Sequence, residues 1–363
     1  MLNINISFDH EIYFGENYVS EEDVLFAPTE RIMDVLVENG VSATFFTDVC
    51  SVFKYESLGL VDYPTKMAAQ LKLLTTNQQD VQLHVHSHWY NTEYKNRKWI
   101  SDDESYKIHS FGFDEQDSDV LTANRIIKDG KNYLEKLLKS VDDNYKCISY
   151  RAGGFCLQPE KELIKALVDN GIIIDSSIVK HLKSDIENHD FSYSGLPNDV
   201  NWWISPEKGV KFKSSPNLKK NIFEVPIGST NKKPLKWYLS KINAPLKAPE
   251  KKGTYISTVK PEVSFLQEKR RRLQNIWNSP IHLSLDFYSD NVLLGIIKQY
   301  LRDNDCSKND YYISVIGHPK LMGDDHFKNM ASFIKKVKIL SKEIKFCNMQ
   351  DVYKDITTKV TSN

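Results

Sequence analysis

The strongest constraint on the fold is a rhythm in the first ninety residues, where short β-compatible runs alternate with stretches of helical periodicity. Leu2 to Phe8 alternates apolar and polar residues, as a strand does when its two faces meet different surroundings. Ile32, Val35, Leu36 and Val37 then give a helical stretch an apolar face, and Asn39-Gly40 stops it. Ala43 to Val49 is a second buried strand, Lys66 to Leu74 a helix, and Asp80 opens a third strand. Strand, helix, strand, helix, strand predicts an α/β class, with parallel β-structure and crossover helices.

Residues 90–117 interrupt this rhythm. They are polar, aromatic-rich and without period, which predicts a long loop of the kind that often acts as a lid. A helix over Leu121 to Leu138, broken by Gly130, leads to a strand at Cys147 to Tyr150 that runs into Arg151-Ala-Gly-Gly-Phe155. The helix Glu160 to Asn170 closes at Gly171, and a strand at Ile172 to Asp175 follows. From about 180 to 275 the alternation dissolves into a large insertion or small cap. This segment holds Trp202-Trp203, a strand at Ile222 to Ile227 and a helix near Phe265 to Ile276. The pattern resumes with strand Ile281 to Phe287, helix Val292 to Leu301 and strand Tyr311 to Ile316, which ends in Gly317-His318-Pro319. A last helix at His326 to Leu340 and a strand at Ile344 to Phe346 complete the expected fold. A chain of 363 residues accommodates one large α/β barrel or two ordinary domains.

The chemistry gathers at predicted strand ends, where barrels and open α/β sheets build their sites. Asp9 and Glu11 end the first strand, His84, His86 and His88 the third, and Arg151, Asp175 and His318 later ones. Neutral imidazole is a common metal ligand, and three within five positions exceed what a polar loop needs. If the chain turns into helix, His84 and His88 share a face at i, i+4 and His86 points away, the geometry favoured here. If the strand continues, all three lie on one side. Asp9 and Glu11 share a strand face, so one can complete a His-His-carboxylate site while the other serves as a base on an activated water. His10, on the opposite face, reads as a hydrogen-bonded core histidine. Arg151 suits bidentate capture of a carboxylate, His318 suits protonation of a leaving amine, and Asp175 suits orientation of that histidine. Trp89, Tyr90, Trp202 and Trp203 offer either a sugar-stacking wall or core packing.

Composition narrows the partners. Lys+Arg and Asp+Glu balance at 48 each, which counts against a nucleic-acid binder, and local basic runs such as Lys269 to Arg272 read as a solvated helix face. No run approaches the roughly 20 apolar residues of a membrane-spanning helix. No secretory signal is visible, and five scattered cysteines without a CxxC pair suit free thiols, so a cytoplasmic protein is expected.

In their order, Ser7-Phe-Asp9-His-Glu11, Ala43-Thr-Phe-Phe46, His84-Val-His-Ser-His88, Arg151-Ala-Gly-Gly-Phe155, Asp175-Ser-Ser177 and Gly317-His318 resemble the motifs of the polysaccharide deacetylase superfamily (carbohydrate esterase family 4). The resemblance implies a distorted (β/α)7 barrel over residues 1–363, with residues 180–275 as an insertion outside the motifs. It implies a metal-dependent hydrolase that removes an acetyl group from an N-acetylated sugar or glycan precursor, with a carbohydrate substrate and a divalent metal, Zn²⁺ being the expected ion. By the same resemblance Asp9 is the base, Glu11, His84 and His88 the metal ligands, Arg151 the residue orienting the base, His318 the acid and Asp175 its tuner. The sequence departs from the usual motifs in two places: His10 stands where a second aspartate is usual, and Ala152-Gly153 follows Arg151 where a proline is usual. The competing readings are a cyclic-amide or ureide hydrolase on the same barrel, with or without metal, and a non-catalytic carbohydrate-binding protein that retains the barrel.

Overall fold

A computed structural model describes the chain apart from residues 15–18, 97, 103, 114–119, 187, 234–236, 238–251, 254–279 and 363. The helix expected near Phe265 to Ile276 and the basic run Lys269 to Arg272 lie outside the described residues, as does much of the expected insertion. Seven strands run parallel along one path: β1 (Leu2–His10), β2 (Thr44–Asp48), β3 (Asp80–Val85), β4 (Ser149–Ala152), β5 (Ile174–Asp175), β6 (Ile222–Glu224) and β7 (Tyr311–Gly317); off this path the expected last strand, Ile344–Cys347, also pairs parallel with β1, and Trp202–Ile204 pairs antiparallel with β6. Their spatial order is β6-β5-β4-β3-β2-β1-β7. Beyond β6, Ile227 makes parallel bridges to both Val179 and Ser314, Ser314 N–H donates to Pro226 O, and Gly228 N–H donates to Ser314 O. The sheet therefore curls until its two ends meet, and it closes through isolated bridges instead of a full ladder. That is a distorted (β/α)7 barrel.

The helices α1 (Ala27–Glu38), α2 (Val49–Ser57), α3 (Asp62–Thr76), α4 (Ala123–Leu138), α5 (Glu160–Asp169), α6 (Asp290–Asp303), α7 (Asp324–Lys338) and α8 (Met349–Thr361) accompany the strands. Strand alternation sorts side chains into two layers. Ile4, Ile6 and Phe8 of β1 join Phe45, Val81 and Leu83 and the apolar faces of the helices in the main core. Each such side chain contributes about 1.5–3 kcal/mol by leaving water. The alternate residues Asn5, Ser7, Thr44, Gln82, Ser149, Arg151, Ser176 and Ser314 are fully buried yet polar, and they fill the barrel interior. Burial of so many polar groups is tolerable only when they satisfy one another. Asn5 donates to Ser314 Oγ at 3.2 Å, Thr44 Oγ to Asn5 Oδ1 at 3.0 Å, and Ser7 Oγ to Val315 O at 2.9 Å.

Three differences from the sequence reading stand out. Residues 90–117 are not an unstructured loop: strands Glu93–Lys95 and Lys98–Ile100 form an antiparallel hairpin. Two helices escaped the periodicity reading. The short α2 starts on an Asp48 side chain that caps Cys50 N–H at 3.2 Å, and its brevity hides its period. The C-terminal α8 follows the last expected strand; Asn348 caps it, and Met349, Val352 and Ile356 bury against Phe46, Ile148 and Tyr312 in a second apolar cluster. The glycine inside α4 has a packing cause. A Cβ on Gly130 would come within 2.7 Å of Val49 Cγ2 and 2.9 Å of Leu83 Cδ1, so the helix lies close on β3. Gly130→Val should therefore lower stability by about 1–3 kcal/mol despite the better helix propensity of any side chain. Urea unfolding would show a lower midpoint at an unchanged slope; an unaltered midpoint would mean that the contact yields without cost.

Candidate metal centre

Parallel register sets Asp9 beside Phe46, Asp48 beside His84, and His84 beside Arg151, so the functional side chains meet at one level of the barrel. Arg151 Nη1 donates to Asp9 Oδ1 at 2.7 Å, both side chains being almost wholly buried. The rest of the guanidinium is used as well: Nη2 donates to Ser7 Oγ at 2.9 Å and Ser176 Oγ at 3.0 Å, and Nε donates to Ser176 O at 2.9 Å. Its plane lies 4.1 Å from the Phe46 ring centroid, where a cation is also favoured. Burial alone would raise the Asp9 carboxyl pKa, but Arg151 first, then His84 and His318, hold it well below the usual carboxylate range.

The histidine run resolves in favour of strand geometry. β3 persists to Val85, His86 is non-helical at φ −114° and ψ 86°, and a helical turn begins only at Ser87. His84 and His86 consequently share a side. His84 Nε2 lies 3.1 Å and His86 Nε2 2.6 Å from the same oxygen, Glu11 Oε2. One donor atom from each of Glu11, His84 and His86 falls within 4.8 Å of the others, all three side chains being buried. His88 is not in this group. Its ring is buried against Phe14 and Tyr106, with centroids at 5.0 Å and 5.7 Å, and neither ring nitrogen has a hydrogen-bond partner. The i, i+4 expectation fails to group His88 because the chain turns two residues later than that geometry requires. Gly153, in the departed motif, makes the room: a Cβ there would lie 2.6 Å from Val85 O and 2.8 Å from His86 Nδ1.

A divalent cation suits this donor set. His84 Nδ1 is 2.7 Å from Arg151 O, a carbonyl that can only accept, so Nδ1 carries the proton. In the neutral ring the Nε2 lone pair then faces a carboxylate oxygen. Burial presses His86 down to about 4, so its ring is neutral. Burial also opposes a charged His84, but Asp9 and Glu11 outweigh it and hold that histidine above its ordinary value. Two imidazole nitrogens converging on one carboxylate oxygen, with the far nitrogen of His84 fixed by a carbonyl, are the usual surroundings of a bound metal once the Nε2 protons are displaced.

On the other side of Glu11 stand residues the sequence reading missed. Asp286 Oδ2 is 2.7 Å from His318 Nδ1, and Asp286 Oδ1 accepts the His318 backbone N–H at 2.9 Å. Burial lowers the His318 pKa, but Asp286 foremost, then Asp9, lift it to about 10. The carboxylate that orients His318 is thus Asp286; the strand-end rule applied to Ile281 to Phe287 would have found it. Asp175 lies elsewhere, accepting Ser177 Oγ at 2.7 Å and Ser177 N–H at 2.9 Å. Lys320, fully buried, places Nζ 2.9 Å from Glu11 Oε1; no periodicity marks it. His10 bonds Gln70 at 2.8 Å and Thr47 at 3.3 Å outside the barrel interior, as its strand face implies.

The long segments do reach the centre. Tyr106 lies over His86 and His88, and His189, from the hairpin Lys183–Ile186 and His189–Ser192, packs edge-on against Tyr106 at 4.7 Å. Trp89, Trp202 and Trp203 are buried packing residues, with Trp202 Nε1 donating to Val210 O.

No family model and no curated protein matches the sequence. Similar solved structures include a Mycobacterium smegmatis protein assigned as a polysaccharide deacetylase, at 12% identity and TM-score 0.46 over 99% of this chain and 91% of that one. Another is a Pseudomonas aeruginosa PAO1 protein assigned likewise, at 9% and 0.42 over 97% and 89%. A third is Puue allantoinase, at 10% and 0.46 over 97% and 88%. No helix among the described residues is long and apolar enough to cross a membrane.

Asp175 also sits beside Glu224, its partner across the β5–β6 ladder. Burial and the Asp175 charge push Glu224 well above its ordinary value, and burial raises Asp175. A carboxyl whose pKa is raised by folding contributes stability that is full below the unfolded pKa, near 4.5, and is lost as pH rises through the folded one. Glu224→Gln should therefore flatten the fall in thermal midpoint between pH 5 and pH 8 and gain about 1 kcal/mol or more at the higher pH. An identical fall in both proteins would remove the pair from the account.

Proposed function

We propose that this chain is a metal-dependent amide or ester hydrolase that removes an acetyl group from an N-acetylated sugar or glycan precursor. The observation that carries the reading is Glu11 Oε2 shared by two imidazole nitrogens, beside an ionised aspartate and a carboxylate-oriented histidine. Glu11, His84 and His86 would hold the ion, and two nitrogens with one oxygen suit Zn²⁺. The bound cation supplies polarisation of the acyl carbonyl and acidification of a water. The acetylated-sugar substrate rests on the motif order. Five unpaired cysteines suit a reducing compartment and an intracellular substrate.

The chain's own groups do the proton work. Arg151 keeps Asp9 charged and fixes which oxygen faces the reacting centre, leaving Oδ2 3.5 Å from His318 Nε2. So acidic a carboxylate accepts a proton only from a strongly acidified donor, which fits a base acting at a cation-activated water. His318 is held by Asp286 with Nε2 pointing inward, and its side chain is 15% exposed against 5% or less for Asp9, Glu11, His84 and His86. It stands on the open side, where a leaving amine would depart and need a proton. Tyr106 and Phe14 close the opposite side and keep water out.

Metal analysis tests the ligands. His84→Ala and His86→Ala should each abolish stoichiometric Zn²⁺ binding, while His88→Ala should retain it; metal lost in His88→Ala and kept in His86→Ala would restore the i, i+4 site. Acetate release from a panel of N-acetyl sugars tests the reaction. Asp9→Asn and His318→Ala should each cost on the order of 10²-fold or more in kcat, and His318→Ala should keep its metal. A metal-free protein that opens a cyclic ureide, or one that binds sugars without turnover, would replace this reading.

A further inference from the structure

Glu11 presents its two oxygens to different partners. Oε2 meets the two histidines, while Oε1 accepts from Lys320 Nζ at 2.9 Å. The lysine is 1% exposed, and its ammonium also donates to Ile12 O at 3.1 Å and lies 4.0 Å from the Phe14 ring centroid. Tyr13 Oη donates to Lys320 O at 3.2 Å, so the backbone is held as well. An ammonium is costly to bury unless it faces a fixed anion, and a buried carboxylate is costly for the same reason. Two neighbouring carboxylates have their own chain-borne partners: Asp9 has Arg151, and Asp286 faces His318.

We propose that Lys320 is a resident counter-cation for the metal ligand Glu11, so that the donor set folds assembled and ionised without metal and holds the metal in a readily exchanged state. The proposal rests on Glu11 being a ligand, as in the function above. The physical reason is competition for one carboxylate. In metal-free protein the lysine on Oε1, first among the groups that hold Glu11 ionised and ahead of the two histidines on Oε2, allows it to stay buried. When a divalent ion binds, two positive charges share that carboxylate and repel each other across a few ångströms in a medium of low effective dielectric. Lys320 therefore stabilises the empty site and weakens the loaded one.

The test compares Lys320→Met, Lys320→Arg and the double variant Glu11→Gln/Lys320→Met, each with and without Zn²⁺, by thermal unfolding and by competition with a chromogenic chelator. Lys320→Met should lower the metal-free midpoint by roughly 5–10 °C, because Glu11 is left buried without compensation. Its Zn²⁺ affinity should rise by about 10-fold or more, and its midpoint should recover on adding Zn²⁺. Lys320→Arg should behave much as the parent does. The double variant should regain most of the metal-free midpoint while losing Zn²⁺, which keeps the test decisive if Lys320→Met folds only with metal. If Lys320→Met binds Zn²⁺ no more tightly than the parent and loses no metal-free stability, the counter-cation role is overturned. If the parent protein binds no metal but Lys320→Met still loses metal-free stability, the metal reading fails while the lysine's pairing role stands.

Discussion

The buried contact between Arg151 and Asp9 is the interaction on which the rest of the barrel depends. It joins β4 to β1 across the interior, and the same guanidinium reaches Ser7 and Ser176. A charge so deep requires every neighbour to be a donor, an acceptor or an aromatic face. The small polar residues of the interior supply this: Ser176 Oγ accepts from Arg151 and donates to Val225 O at 2.8 Å, and it also meets Ser314 Oγ at 3.0 Å. The lattice thus continues from the ion pair to the seam where the sheet closes, and the carboxylate at its upper end is the proposed base. Structure and chemistry share one set of hydrogen bonds.

Above that pair, opposite charges alternate. Arg151 compensates Asp9, Lys320 compensates Glu11, and His318 faces Asp286. These pairs bring the charges close to balance within the chain itself. The three donors already stand within 4.8 Å of one another, consistent with an arrangement imposed by strand register.

Much of this was legible in the sequence, and the unreadable part has physical causes. Period-2 alternation located β1 and put His10 on the face opposite Asp9, where it meets Gln70. Strand-end polarity drew attention to Arg151 and His318. The histidine that joins His84 at Glu11 was harder to read, because the sequence does not say at which residue β3 gives way to a helical turn, and a shift of two residues exchanges His86 for His88. Asp286 lies near the end of the expected strand Ile281 to Phe287 and was passed over for Asp175; in the structure only Ile281–His282 forms a regular strand there, though Ser284 bridges to Ile316. Lys320 follows Pro319 in a short turn with no pattern, and only tertiary packing brings it to Glu11. Helix α8 was missed because the expected fold was already complete without it.

The division of the barrel into an aliphatic shell and a polar interior has a consequence for how such a chain can change over time. In the shell, Ile6, Val81 or Leu83 can be exchanged for other aliphatics of similar volume at modest cost, because dispersion has no direction. Inside, Ser7, Arg151, Ser176 and Ser314 are bound by direction as well as by size, and losing one strands its partners. Among related chains the outer layer is expected to drift while the inner lattice stays fixed. Two such proteins would then keep superposable interiors long after their overall sequences had ceased to resemble one another.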